Sequence, residues 1–385
     1  MKNVASLDIF GQCTGCCACR NICPQGAVVI GKNERGFYVP EVTGDCADCG
    51  LCLSVCQICS KPPLHSLLGA AAGKSRDLAL RMRSSSGGLF SEICSLLSQR
   101  HRDSIVFYGV VWADDCHRAV HEKRTAAGVS DFCGSKYVQS YIGDAFSGIA
   151  EALLRESYVL FSGTPCQCAG LANFLRAKSI SDERLYLIDV VCHGAASPGL
   201  WDEYITVLEK EHNEKIRHYS FRDKSVSWRG IHPVVETASG KRLEPDEMIM
   251  SYGKLFNNTS LNEKCYDCDY ACTRRVGDLT LGDHWGMDNA CKELDDGKGV
   301  SVCLINTPKG RALAEELFNT ADMTAIEDES YLQPNLRQPT SRNLRQKKFW
   351  KDLEKHGYEY AAKKFTVHSR LSSALYKHYK NIKKR

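Results

Sequence analysis

The sequence predicts an α+β protein in three parts: a small cysteine-framed unit, a larger mixed α/β body, and a basic helical tail. Three observations predict it. Eight cysteines fall within residues 13–56 in two matched runs. From Ser84 onward, short apolar runs of strand length alternate with segments of helical period. From Ser341 to Arg385 there are 14 Lys or Arg against three acids, although the whole chain is only +4, so the rest is net acidic. The boundaries expected are residues 1–62, 63–339 and 340–385, with Lys61-Pro62-Pro63 stopping the first unit.

The first unit reads Cys13-x2-Cys16-x2-Cys19-x3-Cys23-Pro24, then Cys46-x2-Cys49-x2-Cys52-x3-Cys56. Each cysteine of the second run lies 33 positions after its counterpart in the first. This is an internal duplication with the spacing of bacterial two-cluster ferredoxins. Three thiolates of a run wrap one cube, and the fourth lies too far round the chain to close it, so it closes the other. Cys13, Cys16, Cys19 and Cys56 are therefore expected to hold one [4Fe–4S] cluster, and Cys46, Cys49, Cys52 and Cys23 the second. Zinc is the alternative for CxxC pairs, but it needs four ligands where eight stand in two quartets. Cys17 and Cys59 lie off the spacing and read as spectators. Gln57 follows Cys56 where the pattern puts proline, a departure that removes no ligand.

Composition is ordinary for a soluble protein, with 43% hydrophobic and 25% charged residues, but 21 cysteines in 385 residues is not. Met1 to Phe10 has no apolar core of signal length, and no run of about 18 apolar residues exists. Reduced thiols acting as metal ligands in the cytoplasm is the consistent expectation.

Along the body, helices are expected over Gly87–Gln99, Ala145–Glu156, Pro198–His212 and Pro308–Asn319, each with apolar residues on one side. Strands are expected at Ser104–Trp112, Tyr158–Ser162 and Arg184–Val191. Others are expected near Arg217–Phe221, Ile231–Thr237, Asp278–Gly282 and Val300–Ile305. Leu64–Arg83 gives no clear pattern. The alternation makes an α/β or α+β body of about 260 residues.

A second set of cysteines stands at turns after strands, where site residues gather. Cys166 lies in Gly163-Thr164-Pro165-Cys166-Gln167, Cys192 in Val191-Cys192-His193-Gly194, and Cys265 and Cys268 form a CxxC in a polar loop. Four thiolates suffice for a third cube; Cys166 and Cys192 could equally be buried, inert cysteines. Ser84-Ser85-Ser86-Gly87-Gly88 precedes a helix and suits a phosphate, or is a serine cap followed by a glycine turn. No GxGxxG or Walker fingerprint appears.

The body resembles the coenzyme F420-reducing hydrogenase beta-subunit family, which includes F420H2 dehydrogenases and 7-hydroxymethyl chlorophyll a reductase. The resemblance rests on Ser84–Gly88, Gly134-Ser135-Lys136-Tyr137, Gly163–Gln167, Asp189–Gly194 and Phe221-Arg222-Asp223-Lys224. It continues with Cys265-Tyr266-Asp267-Cys268 and Arg275–Gly286, and so covers roughly residues 84–290. The most similar members are bacterial, carry a ferredoxin unit in front, and resemble genes placed near surface-polysaccharide synthesis. The resemblance implies FAD and a third [4Fe–4S] cluster on Cys166, Cys192, Cys265 and Cys268. It implies FAD contacts from Ser85, Ser86, Gly87 and Gly88, and Lys136 beside the flavin. Cys168 and Cys272 add thiols that could replace a ligand, and His284 stands where relatives more often have Phe. His193 could shuttle a proton or serve a structural role.

What this implies is an iron–sulfur flavoprotein oxidoreductase joining a hydride carrier or organic substrate at a flavin to one-electron carriers. The alternative is a non-catalytic electron-transfer subunit docking on a partner enzyme through its tail. Expected partners are a ferredoxin or other redox protein and a small hydride donor, F420H2 or NAD(P)H. No nucleic acid is expected, and at most peripheral membrane contact through Phe349, Trp350, Leu353 and Tyr360 among the tail lysines.

Overall fold

A computed structural model describes residues 3–6, 11–114, 116–225, 227–243, 259–285 and 291–366. Two short helices, α1 (Ala18–Ile22) and α2 (Leu51–Ser54), pack together, and a hairpin of β1 (Val28–Lys32) and β2 (Tyr38–Val42) lies beside them. Each helix carries the third cysteine of one duplicated run, Cys19 in α1 and Cys52 in α2.

The body is built on an eight-stranded mixed sheet. Its strands are β3 (Gly69–Lys74), β4 (Ile105–Ala113), β5 (Arg118–Arg124), β6 (Tyr158–Gly163), β7 (Leu185–Val190) and three later ones. A separate antiparallel sheet joins β8 (Ile216–Ser220), β9 (Val234–Thr237) and β10 (Arg242–Leu243). The large sheet is completed by β11 (Leu279–Asp283), β12 (Ser301–Ile305) and β13 (Asp322–Ile326), in the order β13-β3-β12-β11-β7-β6-β4-β5. Its centre, β11-β7-β6-β4, is parallel; both flanks are antiparallel. The central strands are near-continuous apolar runs because both faces are covered, as parallel sheets require.

Helices α3 (Leu78–Arg83), α4 (Leu89–His101), α5 (Ala145–Leu154), α6 (Pro165–Ala177), α7 (Pro198–His212), α8 (Pro308–Thr320) and α9 (Gln346–Thr366) surround this sheet and the smaller one. Three of them start alike. Thr164-Pro165, Ser197-Pro198 and Thr307-Pro308 place a hydroxyl at the cap and proline in the first turn, where its missing N–H costs nothing.

The α+β expectation holds, as do the four expected helices and seven expected strands to within three residues. Within the body, β3, α3, β5, α6, β10 and β13 were not expected. β3, of sequence GAAAGK, has the composition of no strand; it forms because β12 and β13 pair with it on both sides. α6 was hidden behind the turn-like Gly163–Gln167, and β5 and β13 are edge strands of mixed polarity.

The three parts expected from sequence share their interiors. One apolar cluster combines Ala18, Ile22 and Val28 with Phe146, Ile149, Leu171 and Phe174. A second combines Trp201, Tyr204 and Tyr219 with Phe349, Trp350, Tyr358 and Ala361 of α9. The tail as far as residue 366 is therefore core-docked through Phe349 and Trp350, with Leu353 packed against them, whereas Tyr360 stays exposed. α9 bends at Gly357, whose φ of 78° no helix accommodates. Residues 367–385, the remainder of the basic tail, lie outside the described residues. Among the described residues, no helix is long and apolar enough to cross a membrane.

Candidate functional site

The adjacent parallel strands β6 and β7 pair with Gly163 opposite Asp189, so their carboxyl ends finish side by side. Cys166 follows β6 in the first turn of α6, and Cys192 follows β7 in the next turn of chain. Thr164 caps α6 reciprocally with Gln167, whose Oε1 accepts from the Thr164 amide at 3.0 Å. Gln167 Nε2 donates to Ser140 Oγ (2.9 Å), and Ser140 lies 3.2 Å from His121 Nδ1. His121 Nε2 lies 3.2 Å from the Ser162 carbonyl. A neutral imidazole protonated on Nε2 satisfies this whole chain, with Ser140 donating to Nδ1. Burial holds His121 in that form, taking its pKa down to about 4. The Cys166 turn is thereby braced from below.

The CxxC loop is brought to the same place by a buried ion pair. Arg275 and Asp189 are 1% and 0% exposed and meet at 2.9 Å. The guanidinium also donates to the carbonyls of Tyr270 and Val190, both at 2.8 Å, and Asp189 Oδ2 accepts from the Gly277 amide at 3.0 Å. Arg275 thus ties the loop that carries Cys265 and Cys268 to the strand end that carries Cys192. The sequence held both residues inside its recognisable motifs, but nothing in it paired them.

The four thiols of this loop set lie within electrostatic reach of one another. Burial, then the charges of Cys166 and Cys268, push the Cys192 thiol up to about 12. Burial pushes Cys268 up to about 11, with Cys166 the next cause. Cys265 is raised well above the usual thiol range by burial, then by Cys192. Cys168 and Cys272 point elsewhere. Cys168 is fully buried in the core with its thiol toward the Ile188 carbonyl, and Cys272 donates to the Arg274 carbonyl in its own loop.

The N-terminal quartets differ. Cys13, Cys16, Cys19 and Cys56 line one pocket walled by Ile30, Pro40 and Ile58. Burial raises the Cys13 thiol to about 12, and Cys56, Cys17 and Cys166 act in the same direction. Cys166 among those causes sets the first quartet beside the third. In the second quartet, Cys46 acts on Cys52 and accepts from the Asp48 amide at 3.4 Å. Cys23 ends α1, and Cys49 is exposed ahead of α2. Cys17 is buried and donates to the Gly15 carbonyl, as a spectator would. Cys59 lies against Cys56. Among the described residues, no three His, Cys, Asp or Glu side chains are placed to hold a single metal ion.

The turn at residues 84–88 meets the turn at 134–136, where Ser85 Oγ accepts from the Ser135 amide at 2.7 Å. Gly88, with φ 89°, caps α4. Two details depart from the phosphate reading of exposed amides. The Gly87 amide is committed to Ser301 Oγ (2.9 Å), and Ser86 Oγ donates to the Val300 carbonyl (2.9 Å). The Lys136 ammonium lies 3.1–3.4 Å from the carbonyls of Asp131, Phe132, Cys133 and Gly134. Burial nonetheless lowers its pKa to about 8. Lys224 is a residue that sequence reasoning quoted but gave no role: its ammonium joins the carbonyls of Arg81, Ser86 and Lys298 and so fixes the serine turn. His193 is held through its carbonyl by Thr340, and His284 is fully buried.

Residues 157–330 match the sequence profile of a family described as the carboxy-terminal part of the beta subunit of coenzyme F420 hydrogenase/dehydrogenase. The match covers 174 of the chain's 385 residues, and over that stretch the chain is similar to that family. Cys166, Cys192, Cys265 and Cys268 all fall inside the matched span. A chain of the F420-reducing [NiFe] hydrogenase complex from Methanosarcina barkeri, studied by xenon derivatization, is similar in structure. It has 16% identity and a TM-score of 0.47, over 79% of this chain and 93% of that one. No curated protein sequence matches significantly.

Proposed function

We propose that the protein is an iron–sulfur flavoprotein oxidoreductase. In this reading it relays electrons between a two-electron donor or organic substrate at a flavin and one-electron carriers. The observation that carries the reading is the meeting of Cys166, Cys192, Cys265 and Cys268, from three separate stretches of chain, beside the quartet of Cys13, Cys16, Cys19 and Cys56. Buried thiols that raise one another's pKa are poor company unless a cationic centre holds them deprotonated, so the donor set fits a cluster. Clusters pass single electrons and a flavin exchanges one or two, which is the chemistry such groups supply when bound.

The chain's own contribution is placement and exclusion of water. Asp189 and Arg275 lock the CxxC loop to β7, the His121–Ser140–Gln167 chain braces the Cys166 turn, and apolar side chains wall the first quartet. The second quartet, with Cys49 exposed, is the side on which a ferredoxin or other redox protein would dock. The flavin rests on the family resemblance, with Ser85, Ser86, Gly87, Gly88 and Lys136 as its proposed contacts. The joined turns and the α4 N-terminus support it, whereas the committed Gly87 amide leaves fewer donors than an open phosphate loop offers. F420H2 and NAD(P)H are the candidate donors.

Anaerobic purification followed by iron and flavin analysis tests the reading. About 12 iron and one flavin per chain are expected. A colourless zinc protein would overturn it, and about eight iron without flavin would reduce it to a two-cluster ferredoxin head.

A further inference from the structure

Helix α6 brings more than Cys166 to the N-terminal unit. Gly170 and Asn173 follow Cys166 at helical spacing, so the three share one face. A Cβ at Gly170 would lie 2.9 Å from Cys16 Sγ and 3.0 Å from Cys16 Cβ, so only glycine lets the helix lie this close to a thiol of the first quartet. Asn173, 1% exposed, donates to the carbonyls of Val55 (3.3 Å) and Ser60 (2.5 Å), on either side of Cys56. The CxxC loop meets the same quartet through the buried Asn262. Its Oδ1 accepts from the Lys264 amide (3.0 Å) and its carbonyl from the Cys265 amide (2.9 Å), while its Nδ2 donates to the Cys13 carbonyl (3.0 Å). One side chain therefore spans from a cysteine of the first quartet to the start of the loop that carries Cys265 and Cys268. Tyr270 makes a second tie, donating to Gln57 Oε1, next to Cys56, at 2.6 Å.

We propose that electrons cross between the N-terminal unit and the body at this contact, between the first cluster and the third, and that Gly170 and Asn262 set how closely the two approach. This rests on the proposed cluster assignments and adds to them two positioning residues. Each crossing oxidises one cluster by one electron and reduces the other by one. The one-electron carrier and the flavin at the two ends balance it, and no proton moves at the contact. Transfer between separated centres weakens steeply with distance, and less steeply along covalent and hydrogen bonds than across a gap. The Cys13 carbonyl, the Asn262 side chain and the backbone to Cys265 form such a bonded route. The absence of a side chain at 170 shortens the direct route between Cys16 and α6. The order of the relay follows. The second quartet, with Cys49 exposed, faces the carrier, the first stands between, and the third serves the flavin.

The test uses the full chain, purified anaerobically with its clusters and flavin, and the variants Gly170→Ala, Asn262→Ser and Cys192→Ser. Serine at 262 keeps a cap for the Lys264 amide but is too short to reach Cys13. Iron and flavin per chain are measured first, then each cluster's midpoint potential by redox titration followed by electron paramagnetic resonance. Methyl viologen radical, supplied below one per chain, then delivers electrons, and loss of the oxidised-flavin absorbance is followed by stopped flow. The rate in Cys192→Ser, which lacks a proposed third-cluster ligand, measures direct reduction of the flavin and is subtracted. At full iron and unchanged potentials, Gly170→Ala and Asn262→Ser are each expected to slow flavin reduction severalfold. A merely structural role would lower stability and leave that rate alone. Unchanged rates in both variants would overturn the contact as the crossing point while leaving the cluster assignments standing. About eight iron, or no flavin, in the unmodified protein would instead overturn the reading on which it rests. Should the variants lose iron, the unmodified protein decides the matter. When it is fully reduced, its first cluster should show a magnetic coupling that Cys192→Ser removes, and identical first-cluster signals in the two would overturn the proposal.

Discussion

His121 shows how a single protonation state is built into the site. Its folded pKa lies near 4 against about 6.5 when unfolded, so between those values the unfolded chain binds the extra proton. Stability is therefore complete above about pH 6.5 and falls as pH drops through that window toward 4. The full loss is about 3 kcal/mol at about 1.4 kcal/mol per pKa unit. Thermal unfolding of the native protein at pH 7, 6, 5 and 4 is expected to show this fall, and His121→Phe should flatten it. Arg275 is the second such residue. Arg275→Ala leaves Asp189 buried without its partner, which costs about 3–5 kcal/mol. Denaturant titration checks the size, and iron analysis should show the proposed third cluster lost first.

At the scale of elements, the geometry depends on where strands end and how closely loops approach. The β1–β2 hairpin leans on the start of α7 through two glycines. The Gly199 amide donates to the Gly36 carbonyl at 3.1 Å, and a Cβ on Gly36 would lie 2.6 Å from Gly199 Cα. Gly36 also has φ +75°. Gly36→Ala must therefore strain the backbone and push the hairpin off α7, and a loss of about 1–3 kcal/mol is expected by thermal or denaturant unfolding. The two strand-end cysteines give a chemical counterpart. Cys192→Ser should lower iron from about 12 to about 8 per chain, whereas Cys168→Ser and Cys272→Ser should leave it unchanged. Loss of iron in Cys168→Ser at normal stability would reassign the ligand.

The whole molecule unfolds as a unit if its shared interiors mean what they imply. The N-terminal unit is fastened to the body by Asn21 to the Gly143 carbonyl (2.8 Å), Arg20 to Asp144 (2.8 Å) and the common apolar cluster. A single cooperative thermal transition is expected. Removing residues 1–62 should give an aggregating product, because Phe146, Ile149 and Phe174 lose part of their cover. A soluble, flavin-binding fragment 63–385 would show the opposite. Phe349, fully buried in α9, should likewise cost about 3–5 kcal/mol on replacement by alanine, measured by denaturant unfolding.

The sequence alone determined the two N-terminal cysteine runs, because a duplicated spacing is written residue by residue. It also determined the long helices and the central strands, whose apolar periods and serine- or threonine-proline starts are local signals. The strand-end positions of Cys166 and Cys192 were legible for the same reason. Only the tertiary structure decided that those cysteines meet Cys265 and Cys268, since that depends on strand order and on the Asp189–Arg275 pair, 86 residues apart in sequence. It alone made a strand of β3, whose small residues carry no β signal and pair because their neighbours do. It alone turned Gln57 from a missing proline into a link between two loops, because a hydrogen-bond partner 213 residues away leaves no trace in a local pattern.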